Sequence, residues 1–350
     1  MKYLGIDVHS SASVWCLLDQ SGEQLDRGRT PTTHPALHEL AKRLSEDDEL
    51  LAGHEVGGQV YLVHDAISTA GVTIQAFNAN HLRMIAASRK KTDKRDAYWI
   101  AKALQTGMTP HPVYIPDGNI RELRRLLARR RMITRDRTRW QYRARAFLRS
   151  RGVRVSPGNS QIRKKVDELL EHPDGVDTEL LDSLGLCERA LSLFAEECAD
   201  LDAKIKSRIA DVDVVHRLRT IPGIGDLVSA NIYATIGDIS RFPNARKLAS
   251  YVGLVPTVSQ SGGPAQLGHI TKEGSSELRA VMIQAAHIAA NPRTRNADEL
   301  RAYLERIRGS RGRRKIALTA LARHMLSIAF HVWRDGTEYD PKRMRCNITD

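Results

Sequence analysis

Tyr3-Leu4-Gly5-Ile6-Asp7-Val8-His9 is a short apolar run that carries a carboxylate and ends in a histidine. A run of this length bounded by polar residues reads as a buried strand. Ser13-Val14-Trp15-Cys16-Leu17-Leu18-Asp19, followed by Ser21-Gly22-Glu23, reads as a second strand and a turn, so the chain opens with a hairpin. A helical stretch from about residue 35 to 44 leads to Leu50-Leu51-Ala52-Gly53-His54-Glu55, another apolar strand ending in a carboxylate. A helix from about 59 to 70 and the strand Val72-Thr73-Ile74-Gln75-Ala76-Phe77 come next. Lys91-Thr92-Asp93-Lys94-Arg95-Asp96-Ala97 then opens a helix whose three-residue spacing puts Asp93 and Asp96 on one face. Residues 1–115 are thus expected to form an α/β domain with a mixed sheet.

Four carboxylates, Asp7, Glu55, Asp93 and Asp96, can converge at one end of that sheet. Taken singly, each has an ordinary structural explanation: a turn cap, a surface residue, a helix N-terminal charge favoured by the dipole. In this order and on these elements they form the oxygen-donor set that hard divalent cations prefer. Two such ions about 3.5–4 Å apart can stabilise the attacking and leaving oxygens of a phosphodiester. The expected cofactor is Mg²⁺, with Mn²⁺ as a substitute.

The 350 residues carry 54 Lys+Arg against 41 Asp+Glu, a formal charge of +13, which makes a polyanion the first partner to consider. With 41% hydrophobic residues the chain can bury a core, and its length suggests two or three domains. The run from Met1 to Asp7 has no apolar signal region, and no stretch of about 18 apolar residues is apparent, so a cytoplasmic protein without membrane contact is expected. Cys16, Cys187, Cys198 and Cys346 are too scattered for a zinc site or a disulfide framework.

The charge is concentrated. Between Arg121 and Arg151 lie 13 arginines, no lysine and only Glu122 and Asp136 as acids, a local charge of +11 that leaves +2 for the rest. Leu126, Ile133, Trp140 and Phe147 recur every seven residues, while Arg131, Arg135, Arg139 and Arg143 recur every four. The pattern predicts a long helix with an apolar seam and a basic face. With so few acids nearby, the usual i,i+4 pairing is missing, and this face, with Arg124, is expected to hold phosphates. Leu180, Leu184, Cys187, Leu191, Phe194, Cys198, Leu201 and Ile205 alternate four- and three-residue spacings, as a coiled-coil seam does, and place both cysteines among buried small hydrophobes. The Gly/Pro/Asn-containing stretch from 152 to 177 is long enough to bring this second helix back antiparallel. Residues 116–212 are read as an arm or dimerisation stalk.

Residues 213–335 are expected to be mostly helical, with a tail over 336–350. Leu218-Arg219-Thr220-Ile221-Pro222-Gly223-Ile224-Gly225 has the form of a helix-hairpin-helix turn, in which Gly223 and Gly225 let backbone N–H groups approach a phosphate whatever the base sequence. Farther on, Ser259-Gln260-Ser261-Gly262-Gly263 leads to Leu267-Gly268-His269-Ile270-Thr271-Lys272-Glu273-Gly274 and a helix containing Arg279. On composition alone this is a solvated Ser/Gly loop beside basic Lys272 and Arg279; a hydroxyl there becomes a nucleophile only if something activates it.

Gly5-Ile6-Asp7-Val8, Glu55, and Thr92-Asp93-Lys94-Arg95-Asp96-Ala97 with Ile100-Ala101 together resemble the RuvC-like (RNase H-like) domain of the DEDD transposases of bacterial insertion sequences, insertion-sequence family one-ten. The G-L-x-P motif ending at Pro256, the S-G-G at Ser261, the L-G-x-I-x-K-x-G from Leu267 and the closing helix from Arg314 to Trp333 look like that family's C-terminal transposase domain. The resemblance implies that Asp7, Glu55, Asp93 and Asp96 bind catalytic metal and that a serine, Ser261 by position or Ser259 in the alternative register, becomes covalently joined to DNA. It also implies donor and target DNA as substrates, an element-encoded noncoding guide RNA that base-pairs with both, a homo-oligomer (dimer or tetramer), and a nucleoid-associated bacterial location. Two other readings stay open: a metal-dependent junction resolvase in which water attacks, and a noncatalytic nucleic-acid-binding scaffold.

Overall fold

The computed structural model describes residues 1–85, 93–155, 159–174, 176–259, 266–309 and 313–341. Two compact units divide the chain, Met1–Pro116 and Asp117–Asp350.

In the first unit β1 (Lys2–Asp7), β2 (Ala12–Leu18) and β3 (Gln24–Pro31) precede α1 (His34–Leu44); β4 (Leu50–Glu55), α2 (Val60–Thr69), β5 (Thr73–Phe77), α3 (Ala79–Ile85) and α4 (Asp93–Thr106) follow. The strands form one mixed sheet in the order β3-β2-β1-β4-β5, antiparallel through β1 and parallel from β1 to β5. Parallel neighbours need crossover connections, which α1 and α2 supply. Leu4, Ile6 and Ala52 point to one face, where they pack with Leu37 and Leu40 of α1 and Val63 and Ile67 of α2. On the opposite face Val14, Cys16 and Leu18 pack against Ala97 and Ala101 of α4. This architecture is mixed α/β and is consistent with a RuvC-like domain. Where the sequence showed only a turn after β2, the structure has a third strand: β3 is almost wholly exposed, and its polar residues lack the alternation by which a half-buried strand is recognised.

The second unit begins with α5 (Gly118–Ser150), α6 (Asn159–Glu171) and α7 (Thr178–Ile209). Asp117 caps α5 by accepting the Ile120 N–H at 2.9 Å, and Asp177 caps α7 through Glu179 N–H at 3.0 Å. The two long helices run antiparallel. Arg151 at the end of α5 pairs with Asp177 (2.6 Å) and Glu179 (2.9 Å) at the start of α7, while Arg208 near the end of α7 lies 3.5 Å from Glu122. Leu180, Leu184, Cys187, Leu191, Cys198, Leu201 and Ile205 are buried along α7. On α5 the buried residues are Ile120, Leu123, Leu127, Ala144 and Leu148. The seven-residue series from Leu126 is therefore a flank of the seam; its last member, Phe147, is 36% exposed. Between the long helices, α6 occupies a stretch that the sequence reading treated only as a spacer.

Next come α8 (Asp213–Arg219), α9 (Asp226–Ile236), α10 (Ala245–Val252), the two-stranded antiparallel pair β6 (Pro256–Ser259) and β7 (Gln266–Ile270), α11 (Ser276–Ala289), α12 (Asp298–Arg308) and α13 (Arg314–Arg334). Although α13 is long and apolar enough to cross a membrane by length and composition, it supplies Leu318, Leu321, Met325, Leu326 and Phe330 to the core shared with α9, α10, α11 and α12.

Candidate active site and nucleic-acid interface

Asp7 is the last residue of β1 and Glu55 the last of β4; the parallel register pairs Ile6 with His54, so the two acids follow side by side on adjacent strands, about 4.8 Å apart across the sheet. Both point to the α4 face, because side chains alternate along a strand and Gly5 and Gly53 on that face abut α4. A Cβ at Gly5 would overlap the Ala97 carbonyl oxygen and stand 2.5 Å from the Ala101 nitrogen; one at Gly53 would stand 2.9 Å from Leu104. Farther down α4, Lys102 and Gln105 approach Gly22 in the β2–β3 turn, so the helix runs from the acid-bearing end of the sheet towards that turn. Its first residue is Asp93, whose side chain lies outside the described residues, and half-buried Asp96 is one turn on.

The Asp7 side chain is 18% exposed, and its Oδ2 lies 3.2 Å from His9 Nε2. The sequence alone assigns His9 no role; the end of the strand brings it back beside the carboxylate. His54, next to Glu55, points to the other face. It is fully buried, burial pushes its pKa down to about 4, and neither ring nitrogen has a hydrogen-bond partner among the described residues. A neutral imidazole results, outside the acid cluster. No group of three His, Cys, Asp or Glu side chains close enough to hold a metal occurs among the described residues, which do not include the Asp93 side chain. Asp7, Glu55 and Asp96 are nevertheless all oxygen donors directed to one face at one end of the sheet, which fits a hard divalent cation.

In the second unit Ser259 ends β6, with its side chain outside the described residues, and Ser261 lies wholly outside them. The base of this hairpin is held by interlocked backbones. A Cβ on Gly253 would overlap the Glu273 carbonyl oxygen and one on Gly274 would overlap that of Tyr251; both glycines have positive φ, +75° and +80°. Arg279 donates from Nη1 to the Val252 (2.8 Å) and Glu273 (2.9 Å) carbonyls, so it is a backbone clamp and not a free cation beside the loop. Lys272 is exposed and adopts φ +59°, a conformation that costs a non-glycine residue of order 1 kcal/mol and fixes where its ammonium emerges.

The arginine face is less open than the local composition implies, because its acidic partners come from distant segments. Arg129 pairs with Glu197 (2.9 Å), Arg130 with Asp202 through both carboxylate oxygens, and Arg131 with Glu277 (3.1 Å). Asp202 holds the Arg130 guanidinium protonated still more firmly than usual. Arg124 donates to the Ala234 (2.6 Å) and Thr235 (3.2 Å) carbonyls at the end of α9. Arg139 pairs with Asp136 at 2.8 Å, Arg143 stacks 4.7 Å from the Trp140 ring centroid, and Arg135 is exposed.

Gly223 has φ +90° and faces α11, where a Cβ would stand 2.5 Å from the Ala285 carbonyl oxygen, so helix packing already requires a glycine there. Gly225 is the N-cap of α9 and opens to empty space. Beside it, Asp226 pairs with Arg219 at 3.0 Å and places a carboxylate at the same helix N-terminus.

Two family models match in chain order: a DEDD transposase model of the IS110 kind over residues 4–151, and one for the transposase IS116/IS110/IS902 family over residues 215–304. The transposase for insertion sequence element IS1111A of Coxiella burnetii is 24% identical over 328 residues, covering 92% of this chain and 86% of the relative. The transposase for insertion sequence element IS1328 of Yersinia enterocolitica is 26% identical over 196 residues, 55% of this chain and 57% of that one. The pilin gene-inverting protein of Moraxella lacunata is 32% identical over 126 residues, 36% and 38% of the two chains. The first match reaches the sheet that carries Asp7 and Glu55 and the helix that carries Asp96, the second the hairpin held by Gly253 and Gly274, and on both grounds the chain belongs to the IS110 family of insertion-sequence DNA transposases.

Proposed function

We propose that this transposase cuts and rejoins donor and target DNA by metal-dependent attack of a serine, Ser261 or, one register away, Ser259. The observation that carries the metal half is the common direction of Asp7, Glu55 and α4 at one end of the sheet. Asp7, Glu55, Asp93 and Asp96 would hold Mg²⁺, which when bound polarises the scissile phosphate and favours deprotonation of the nucleophile. The serine oxygen bonds to phosphorus as the phosphorus–oxygen bond to one DNA end breaks, and that end leaves as a free hydroxyl after taking up a proton. A hydroxyl from the second DNA then attacks the phosphoserine, releasing the serine, and no external energy source is needed.

Residues 1–115 would supply the acids, 116–212 the arm and 213–335 the serine, with acids and serine drawn from different subunits of a dimer or tetramer. The arm's helices would associate as a coiled coil. A noncoding RNA encoded by the element would choose sites by pairing, and exposed arginines of the arm, which bind phosphates bidentately and stack on bases, suit such a partner. Arg135, Arg139, Arg143, Gly225 and Lys272 remain candidate nucleic-acid contacts, whereas Arg124, Arg131 and Gly223 already serve contacts within the unit. The reaction would take place on cytoplasmic, nucleoid DNA.

Replacing Ser261 with alanine, alongside Ser259→Ala, tests the chemistry. Loss of strand exchange and of the covalent protein–DNA adduct in one of the two identifies the nucleophile. Continued Mg²⁺-dependent cutting by both variants would instead make the protein a resolvase-like nuclease.

A further inference from the structure

The end of the α5–α7 arm carries a cavity of about 400 Å³ lined by Arg145, Arg149, Gly152, Val153, Arg154 and Val155. Its shape follows from how α5 stops. Val153 N–H donates to the Leu148 carbonyl (3.0 Å) and Gly152 N–H to that of Arg149 (3.0 Å), with Gly152 at φ +72°, a left-handed turn that closes the helix. The chain reverses there and brings Arg154 to the side where Arg145 and Arg149 stand one helical turn apart. Val153 and Val155 pack on the buried cluster of Ala144, Leu148 and Ile162, so the cavity has an apolar wall anchored in the core of the arm.

The guanidiniums of Arg149 and Arg154 line this space beside Arg145, which already has an interaction of its own within the chain, and among the described residues the lining holds no carboxylate. Arg151, between them in sequence, is turned to Asp177 and Glu179 and does not contribute. The C-terminal end of α5 presents roughly half a negative charge, far too little to offset them. An anion is therefore favoured. A lone phosphate would leave the apolar wall unused, and the volume lies in the range of about 300–1,000 Å³ that takes small organic molecules. Phosphate together with a flat ring satisfies both walls, because arginine binds phosphate bidentately and stacks on bases. A duplex offers such a ring only after unstacking it, whereas a single strand offers it directly.

We propose that this cavity receives one unstacked nucleotide of a single-stranded nucleic-acid segment, with phosphate on Arg149 and Arg154 and the base between Arg145 and the valines. The inference rests on the reading of the arm as a nucleic-acid contact and adds a site the arginine periodicity did not indicate.

The test uses the full chain, a fluorescent 15-nucleotide single-stranded oligouridylate containing 4-thiouridine, and a duplex DNA of equal length. Arg149→Ala with Arg154→Ala is expected to weaken single-strand binding at least about tenfold, to change duplex binding by less than roughly twofold, and to abolish the photo-crosslink to the peptide spanning 145–155. Arg149→Lys with Arg154→Lys, which keeps the charge, is expected to recover only part of the affinity. Uridine monophosphate should compete for the crosslink at concentrations where inorganic phosphate does not. Equal losses for both nucleic acids, an unchanged single-strand affinity, or equal competition by phosphate overturns the proposal. If Arg135→Ala with Arg143→Ala leaves both affinities intact as well, the reading of the arm fails with it; if those variants weaken binding and the cavity variants do not, only the cavity assignment falls.

Discussion

Gly5 and Ala97 meet backbone to backbone: any side chain on Gly5 would overlap the Ala97 carbonyl oxygen. Asp7 lies two residues along the same strand on the same face, and Asp96 immediately precedes Ala97, so this contact sets the distance between the acid-bearing strand and the acid-bearing helix. Gly5→Ala must push α4 outward. Overpacking of this kind costs about 1–3 kcal/mol, and the variant is expected to melt lower by calorimetry, to lose strand exchange and to make Cys16, which packs on α4, more reactive to thiol reagents.

Asp7→Asn and Glu55→Gln preserve shape and remove charge. Each is expected to lower Mg²⁺-dependent exchange at least about a hundredfold. Without Mg²⁺ the melting temperature should hold, since each substitution keeps the shape of the side chain it replaces. Mg²⁺ is expected to raise the melting temperature of the natural protein and to leave that of either variant unchanged. A Mg²⁺ shift that survives in both variants would place the metal elsewhere.

Arg130 and Arg135 lie on the same helix with different neighbours. Arg130 is bound by both oxygens of Asp202, whereas Arg135 is exposed. Arg130→Ala is expected to destabilise the arm, leaving Asp202 without its guanidinium, and to leave the slope of log affinity against log salt unchanged. Arg135→Ala should leave stability within about 0.5 kcal/mol and flatten the salt slope by about one unit. Binding titrations from low to moderate salt separate the two.

The hairpin that leads to Ser261 depends on the interlock of Gly253 with Glu273 and Gly274 with Tyr251. Gly274→Ala should abolish strand exchange and, if Ser261 is the nucleophile as proposed, its DNA adduct, since positive φ and backbone overlap both oppose the side chain. Arg279→Leu, which deletes the clamp on the Val252 and Glu273 carbonyls, should reduce adduct formation less completely. Proteolysis would report the loosened hairpin as faster cleavage between residues 253 and 274.

His324 gives a pH signature. It stacks 4.3 Å from the Tyr303 ring, and burial, reinforced by Arg306 and Arg323, pushes its pKa from 6.5 down to about 4. Between these values the unfolded chain takes up a proton that the folded chain refuses. The stabilisation is complete above pH 6.5 and declines as pH falls towards 4, by at most about 1.4 kcal/mol per unit. His324→Phe keeps a ring against Tyr303 and should make the decline of the denaturation midpoint across that window less steep, with buried His54 supplying a remaining part; an equally steep decline would assign the effect to other groups.

Apolar runs made β1, β2, β4 and β5 legible, because a buried strand needs them whatever surrounds it, while the spacing of Asp93 and Asp96 marked the start of α4. Strand β3 was not legible, since Gln24, Asp26, Arg27 and Arg29 form an exposed edge held chiefly by pairing with β2. On α5 the larger apolar side chains recur at Leu126, Ile133, Trp140 and Phe147, while the line that faces α7 also includes Arg130 and Thr134. Those polar residues are accommodated only because Asp202 and Cys198 stand opposite, and such partners more than sixty residues away leave no local signature. The direction of Asp7, Glu55 and α4 followed from strand order, but the approach of His9 to Asp7 depends on how the chain turns beyond β1.

The root of the arm is welded, not hinged. Arg124 grips the last carbonyls of α9, and Leu123 and Leu127 share a core with Ala230 and Ala234. A helix of 33 residues is about 50 Å long. The arm is thus a rigid lever, and any load on its far end at Arg149 would reach the α8–α9 turn at its base as a torque.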